Sequence, residues 1–227
     1  MQAISHTHRR RVPLAAARLL AALAVVGLAS LHHDARAPTP LAAGPAPGQP
    51  QWARSLDPRF NLFQMSPTLY RSALPTLQNA STLQGLGVRT VVSFIKDDDH
   101  AWSKDPSIRL LSQPLHADRV TDDEVLQALR TVRAAQAQGP VLIHCKHGNN
   151  RTGIVAAMYR IVVEGWPREA ALAEMQNGGF GSEDDMAEAA NYVRHADVQA
   201  ISQALDRGEA CAHAWSMCGV KGWLSRR

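Results

Sequence analysis

Cys145 and Arg151, with five residues between them, have the types and spacing for phosphoryl chemistry. A thiolate is a strong nucleophile, and an arginine offers a planar two-pronged grip to a phosphoryl group. The residues between, Lys146-His147-Gly148-Asn149-Asn150, form a short polar loop whose backbone N–H groups, with the Arg151 side chain, can bind an anion. Thr152 can hydrogen-bond the thiolate as it becomes a leaving group, and His144 can orient the loop by hydrogen bonding. A structural cysteine at a strand end is the competing account of Cys145. The flanking sequence tells against it.

Three apolar residues, Val141-Leu142-Ile143, follow Gly139-Pro140 and read as a buried strand. Downstream, Gly153-Ile154-Val155-Ala156-Ala157-Met158-Tyr159 opens a helix. Strand, tight loop and helix N-terminus make an anion cradle, with the positive end of the helix dipole behind converging N–H groups. The thiol at its bottom is expected to ionise below the range of free cysteine.

Transfer of a phosphoryl group to a thiolate leaves an alkoxide or phenoxide that needs a proton. Asp118, in His116-Ala117-Asp118-Arg119, follows an apolar strand at the end where open α/β sheets carry their sites, so it is the candidate acid. Thr121, with Glu124 three residues on, is the better cap for the next helix, and Asp122 and Asp123 read as first-turn charges. Asp97-Asp98-Asp99 also follow a strand and read either as an acidic rim beside the site or as a solvated turn. Consecutive aspartates point in different directions, and no second ligand cluster accompanies His144 and His147. No metal and no cofactor are therefore assigned. Gln176, Asn177 and the Gly178-Gly179-Phe180-Gly181 loop receive no role.

The elements around these residues alternate. Strands are expected over 60–65, 69–71, 88–95, 108–115 and 141–143. Helices are expected over 76–86, from Thr121 to about Gln138, from Gly153, after Pro167, after Ser182, and over 197–206. The fold class is therefore α/β: a single domain with a central, mostly parallel sheet flanked by helices, and a helical C-terminal half.

His-Cys-x5-Arg-Thr-Gly resembles the signature of the cysteine-dependent protein tyrosine phosphatases, in the dual-specificity branch. The similarity runs from about Trp52 to Trp223. It passes through Ser66-Pro67-Thr68-Leu69-Tyr70-Arg71-Ser72-Ala73-Leu74-Pro75, Thr90-Val91-Val92-Ser93-Phe94-Ile95-Lys96-Asp97-Asp98-Asp99 and His116-Ala117-Asp118-Arg119. The resemblance implies a dual-specificity-phosphatase-like domain acting through a phosphocysteine on Cys145, with Asp118 on a mobile general-acid loop. It also implies a preference for phosphotyrosine. With four Phe and three Tyr in the chain, and no aromatic wall ahead of the domain, phosphoserine and phosphothreonine are expected to fit as well. The match is closest to bacterial periplasmic members, which implies a membrane-anchored diguanylate cyclase as substrate protein and an influence on biofilm formation. Two other readings stay open: an inositol-polyphosphate or phosphoinositide phosphatase, to which Lys146 and His147 lend charge, and a non-catalytic phosphopeptide-binding module. Neutral Asn149-Asn150 weighs against the first, and the joint presence of Cys145, Arg151 and Asp118 against the second.

The N-terminus supplies an address. Arg9-Arg10-Arg11 precedes an apolar run from Leu19 to Leu31, short for a bilayer core of about 30 Å but normal for a signal peptide. Residues 1–37 are read as that signal, with Ala35-x-Ala37 and Gly27-x-Ala29 as alternative cleavage patterns, and 38–51 as a Pro/Ala/Gly-rich linker before the 52–227 domain. A periplasmic protein follows, or one held at the inner membrane by an uncleaved segment. The chain's net charge of +4 resides in residues 1–37, which hold five Arg and one Asp, so nucleic-acid binding loses its electrostatic support. The protein is expected to be a monomer. In an oxidising compartment Cys211 and Cys218 are disulfide candidates. They would close a loop worth somewhat less than the roughly 3 kcal/mol of a 15-residue one.

Overall fold

The structure is a computed structural model that describes residues 50–116, 118–181, 183–213 and Cys218. The segment read as a signal peptide, most of the linker, and Ser182 lie outside the described residues.

Alternation along the central strands sorts the core into two faces. Val141 and Ile143 point to one face and Leu142 to the other; Val92 and Val91 divide the same way. The strands are β1 (Arg54–Asp57), β2 (Leu62–Ser66), β3 (Leu69–Ser72), β4 (Thr90–Ser93), β5 (Arg109–Ser112) and β6 (Val141–His144). Their order in the sheet is β1-β2-β3-β6-β4-β5. β3, β6, β4 and β5 pair in parallel, and β1 and β2 extend the β3 edge antiparallel. β6 is buried along its whole length, as expected of a central parallel strand.

The helices are α1 (Ala80–Gly85), α2 (Asp122–Gln136), α3 (Asn150–Val162), α4 (Arg168–Asn177), α5 (Glu183–His195) and α6 (Val198–Arg207). Residues of α2 to α6 pack on the Val141/Ile143 face, while Leu83 of α1 and Trp102 cover the Leu142 face. The register places Ser72, His144 and Ser93 side by side at the carboxyl ends of β3, β6 and β4. The loops after these strands therefore leave from one edge.

The Thr121 capping box forms as expected: Thr121 accepts from Glu124 N–H, and Glu124 accepts from Thr121 N–H. Expected boundaries shift, β4 and β5 being shorter than the expected 88–95 and 108–115, and one strand is added. Phe60 ends a 3-10 turn, Pro58–Phe60, whose ring-constrained start and Asp57 cap delay β2 to Leu62. β1 is an added strand that pairs across the Asp57 irregularity, too short and polar to show an apolar alternation. The 76–86 segment begins as a 3-10 turn, because Asn79 caps back onto Thr76, and becomes α-helical at Ala80. α3 begins at Asn150 rather than Gly153, since the Asn149 side chain accepts from Asn150 N–H and starts the helix early.

The C-terminal segment is fastened to the first turn of α2. The Asp122 carboxylate accepts from Tyr192 O–H (2.7 Å), Asp197 N–H (3.3 Å) and His213 Nε2 (2.9 Å), and Asp123 accepts from Ala212 N–H (2.6 Å). The bond to Asp122 raises the His213 pKa, and burial together with Asp122 raises that of Tyr192. Cys211 and Cys218 are joined in a disulfide with Cα atoms 5.8 Å apart, and Cys145 is a free, buried thiol.

One buried ion pair binds α3 to α4. Arg160 grips Glu174 with Nε and Nη2 (2.9 and 2.8 Å), and both side chains are 3% exposed. Arg160 also reaches Glu164, Met65 O and the face of Trp166. Removing one partner strands the other in a dry interior, so Glu174→Ala should cost about 3 kcal/mol in urea unfolding. A loss under about 1 kcal/mol would mean that Glu164 alone suffices to hold the guanidinium.

Candidate active site

Cys145 leaves the end of β6 and is 3% exposed. Its Sγ accepts a hydrogen bond from Gly148 N–H at 3.3 Å, so the loop curls back over its own first residue. Gly148 has φ +79°, and a Cβ built there would lie 2.6 Å from the carbonyl carbon and oxygen of Ser72. Only glycine allows that turn and that approach.

Groups from distant parts of the chain hold the rest of the loop. Leu74 N–H donates to Lys146 O (3.2 Å), Asn61 Nδ2 to His147 O (2.8 Å), and Arg71 Nη2 to Gly148 O (2.8 Å). Asn61 donates also to Phe180 O (2.8 Å). Asn149 is buried against Gly181, where a Cβ would lie 2.8 Å from its Nδ2. The unassigned Gly178–Gly181 loop is thus part of the wall that supports the cradle. Neither Asn61, Arg71 nor Phe180 stands out as a site residue in the sequence. The one available signal was an arginine inside the strand Leu69-Tyr70-Arg71-Ser72, whose four residues are all buried.

Behind Cys145, His144 is fully buried. Its Nε2 lies 3.0 Å from Asp99 Oδ2 and its Nδ1 3.3 Å from Cys145 O. Asp99 Oδ1 accepts from Trp102 Nε1 (2.9 Å). The three aspartates diverge. Asp97 lines a cleft, Asp98 caps a 3-10 turn and pairs with His100 on the surface, and Asp99 turns inward. Asp99, as the partner of His144, is a residue that sequence reasoning placed in a rim or turn.

Arg151 and Thr152 lie in the first turn of α3. Arg151, Lys146, Lys96, Asp97, Pro114 and Leu115 line a cleft of about 270 Å³ beside the cradle. Arg151 Nε and the Thr152 hydroxyl are buried without a hydrogen-bond partner among the described residues, so the expected Thr152 bond to the thiolate is not made here. Asn150 N–H is taken by Asn149 and Gly148 N–H by the sulfur, while the His147 side chain is exposed.

Asp118 does not line the cleft that holds Lys146 and Arg151. Its side chain is 70% exposed, 3.9 Å from Arg119, and lines a separate groove with Val120, Ile154, Tyr192 and His195. It does not cap α2; Thr121 does.

Residues 58–212 match the family model described as the tyrosine phosphatase family. The chain belongs to that family. Among similar tyrosine phosphatases, the dual specificity protein phosphatase TpbA of Pseudomonas aeruginosa (strain UCBPP-PA14) is 55% identical over 216 residues, covering 95% of this chain and 97% of TpbA. A crystal structure of P. aeruginosa TpbA, in a cysteine-to-serine form bound to phosphotyrosine, is 62% identical. It covers 69% of this chain and 97% of its own, with a TM-score of 0.68. More distant is the inositol diphosphatase DSP3 of Arabidopsis thaliana, 26% identical over 66% of this chain and 76% of that protein. The tyrosine phosphatase fold expected from the signature is thus the fold found, and the chain is a cysteine-dependent protein tyrosine phosphatase of dual-specificity type.

The close packing at Gly148 gives a direct test. Gly148→Ala should lower turnover of a phosphotyrosine peptide about 100-fold, as misplacement of reacting groups by about an ångström does, with an unchanged far-ultraviolet dichroism spectrum. Activity within about threefold of wild type would show that the loop tolerates the methyl group.

Proposed function

We propose that this phosphatase hydrolyses phosphotyrosine in proteins by two in-line displacements at phosphorus. The observation that carries the reading is the Gly148 N–H directed at Cys145 Sγ, at the end of a buried strand and with Arg151 in the first turn of the following helix. The Cys145 thiolate forms the S–P bond as the bond from phosphorus to the phenolic oxygen breaks, and Asp118 gives its proton to the departing phenoxide. Water then attacks phosphorus and Asp118 takes its proton. The S–P bond breaks, releasing inorganic phosphate and the thiolate. Arg151 and the loop amides hold the equatorial oxygens in both steps, where preorganised donors act most strongly. Asp118 reaches the leaving oxygen by movement of its loop. Its only ion pair among the described residues, at 3.9 Å to exposed Arg119, offers little resistance.

TpbA in complex with phosphotyrosine supports phosphotyrosine as the substrate here, and the dual-specificity name of TpbA supports phosphoserine and phosphothreonine as further ones. Resemblance to TpbA supports a membrane-anchored diguanylate cyclase as the protein substrate, and through it an effect on biofilm formation. The basic and apolar segments of residues 1–37, and a disulfide suited to an oxidising compartment, support a periplasmic location.

A second reading rests on the cleft where Lys96, Lys146 and Arg151 meet. Three cations and one carboxylate there favour a substrate with a further anionic group beside the scissile phosphate, as an inositol polyphosphate has. Turnover of a phosphotyrosine peptide and of an inositol polyphosphate by the same preparation decides between the two. The peptide is expected to be preferred, and a preference for the inositol reverses the assignment.

Two variants test the mechanism. Cys145→Ser should retain phosphopeptide binding and lose turnover. Hydrolysis near the wild-type rate would remove Cys145 as nucleophile. Asp118→Asn should lower kcat on phosphotyrosine by about 100-fold, and much less on an ester with an activated leaving group. An equal loss on both would take the acid's role from Asp118.

A further inference from the structure

Arg71 lies in β3 and is 2% exposed. Its guanidinium stacks 3.6 Å from the centre of the Phe180 ring, and Phe180 is held edge-on by Phe63 at 4.6 Å. Its Nη2 donates to Gly148 O, and its Nε has no partner among the described residues. A buried cation normally sits beside a carboxylate, because an isolated one loses its hydration without replacement. Among the described residues no ion pair joins Arg71 to one. The charged groups facing it are Glu174, Cys145 and Arg160. Glu174 is gripped at both oxygens by Arg160 and accepts Ala53 N–H as well, so it acts on Arg71 through space rather than by a hydrogen bond. Cys145 is the other acidic group facing it, and Gly148 links the two.

Strand geometry makes this pairing possible. Arg71 is in register with Ile143, and Cys145, two residues beyond Ile143, leaves β6 towards the same helical face. Gly148 joins the two groups: its N–H points to the sulfur and its carbonyl accepts from Arg71. Burial pulls the Arg71 pKa down to about 10, with Glu174 and Cys145 opposing that shift, so the guanidinium stays charged at neutral pH.

We propose that Arg71 is a positioning residue and the internal counter-ion of the Cys145 thiolate, a second cation behind the nucleophile that complements Arg151 on the substrate side. It keeps the thiol ionised and fixes Gly148 with its N–H on the sulfur. The Phe180 ring of the Gly178–Gly181 loop seats this guanidinium. The inference rests on Cys145 being the nucleophile of the proposed reaction, but its test reads the thiol directly and needs no turnover.

The experiment is alkylation of Cys145 by iodoacetamide at pH 6 and pH 9 in the wild type, Arg71→Gln and Arg71→Lys, followed by mass spectrometry. Loss of the charge should slow alkylation of Arg71→Gln about tenfold at pH 6, where ionisation limits the rate, and less than about threefold at pH 9. Arg71→Lys keeps the charge and should recover most of the pH 6 rate. An equal loss in both variants at both pH values means a purely structural role and overturns the proposal, as does no loss. Should Arg71→Gln not fold, Cys145→Ser gives the reciprocal measurement. Without the thiolate, hydrogen exchange at the buried arginine N–H groups, followed by nuclear magnetic resonance, should quicken several-fold, and unchanged exchange overturns the proposal. Failure of the catalytic reading appears elsewhere, as turnover by Cys145→Ser.

Discussion

The catalytic loop lies so close to the end of β3 that only a glycine fits between them. A methyl group on Gly148 would meet the Ser72 carbonyl at 2.6 Å, backbone against backbone, where no side chain can swing aside. That approach follows from the parallel pairing of β3 with β6, which brings Ser72 level with His144. Once Gly148 is held there, its N–H falls on Cys145 Sγ, and its carbonyl falls on Arg71. The antiparallel part of the sheet is therefore not an ornament at the edge. β2 and β3 carry Phe63 and Arg71, and the turn before β2 carries Asn61; between them these residues fix the floor of the loop.

Sheet alternation then sorts the charges around Cys145. Odd-numbered residues of β6 face the helices and even-numbered ones face Trp102 and α1. Cys145 thus falls on the side of Arg71, and His144 on the side of Asp99. A carboxylate on the same face as the thiolate would disfavour ionisation through like-charge repulsion. The Asp99 carboxylate sits on the opposite face, bonded to His144 and Trp102, and Glu174, on the helical side, is gripped at both oxygens by Arg160.

What could be read from the chain follows the range of each interaction. The Cys145-to-Arg151 loop, the strand before it, the helix after it and the Thr121 cap are set by neighbours within a few residues, and all are found. The boundaries moved where a side chain captured a nearby amide, as Asn149 does for Asn150. Arg71, Asp99, Asn61 and Phe180 escaped because their partners lie 77, 45, 86 and 119 positions away, by the bonds Arg71–Gly148, His144–Asp99, Asn61–His147 and Asn61–Phe180. No local pattern encodes a register over such distances. Asp118 is the intermediate case: its place after a strand was legible, while its distance from the sulfur depends on a loop conformation that the local sequence does not fix.

The site also costs the fold something. Buried side-chain donors without partners among the described residues include Arg71 Nε, Arg151 Nε and the Thr152 hydroxyl, and all three belong to residues of the cradle or its support. Each such group forfeits about 1–3 kcal/mol relative to a satisfied one. A site that had to gather its donors from water at each turnover would avoid that cost and meet the reorganisation at the barrier instead. Here the penalty falls on the folded state, where the pair Arg160–Glu174, the capped α2 and the apolar packing of α2 to α6 can carry it. In the proposed reaction Arg151 is thereby in place before any charge on phosphorus develops.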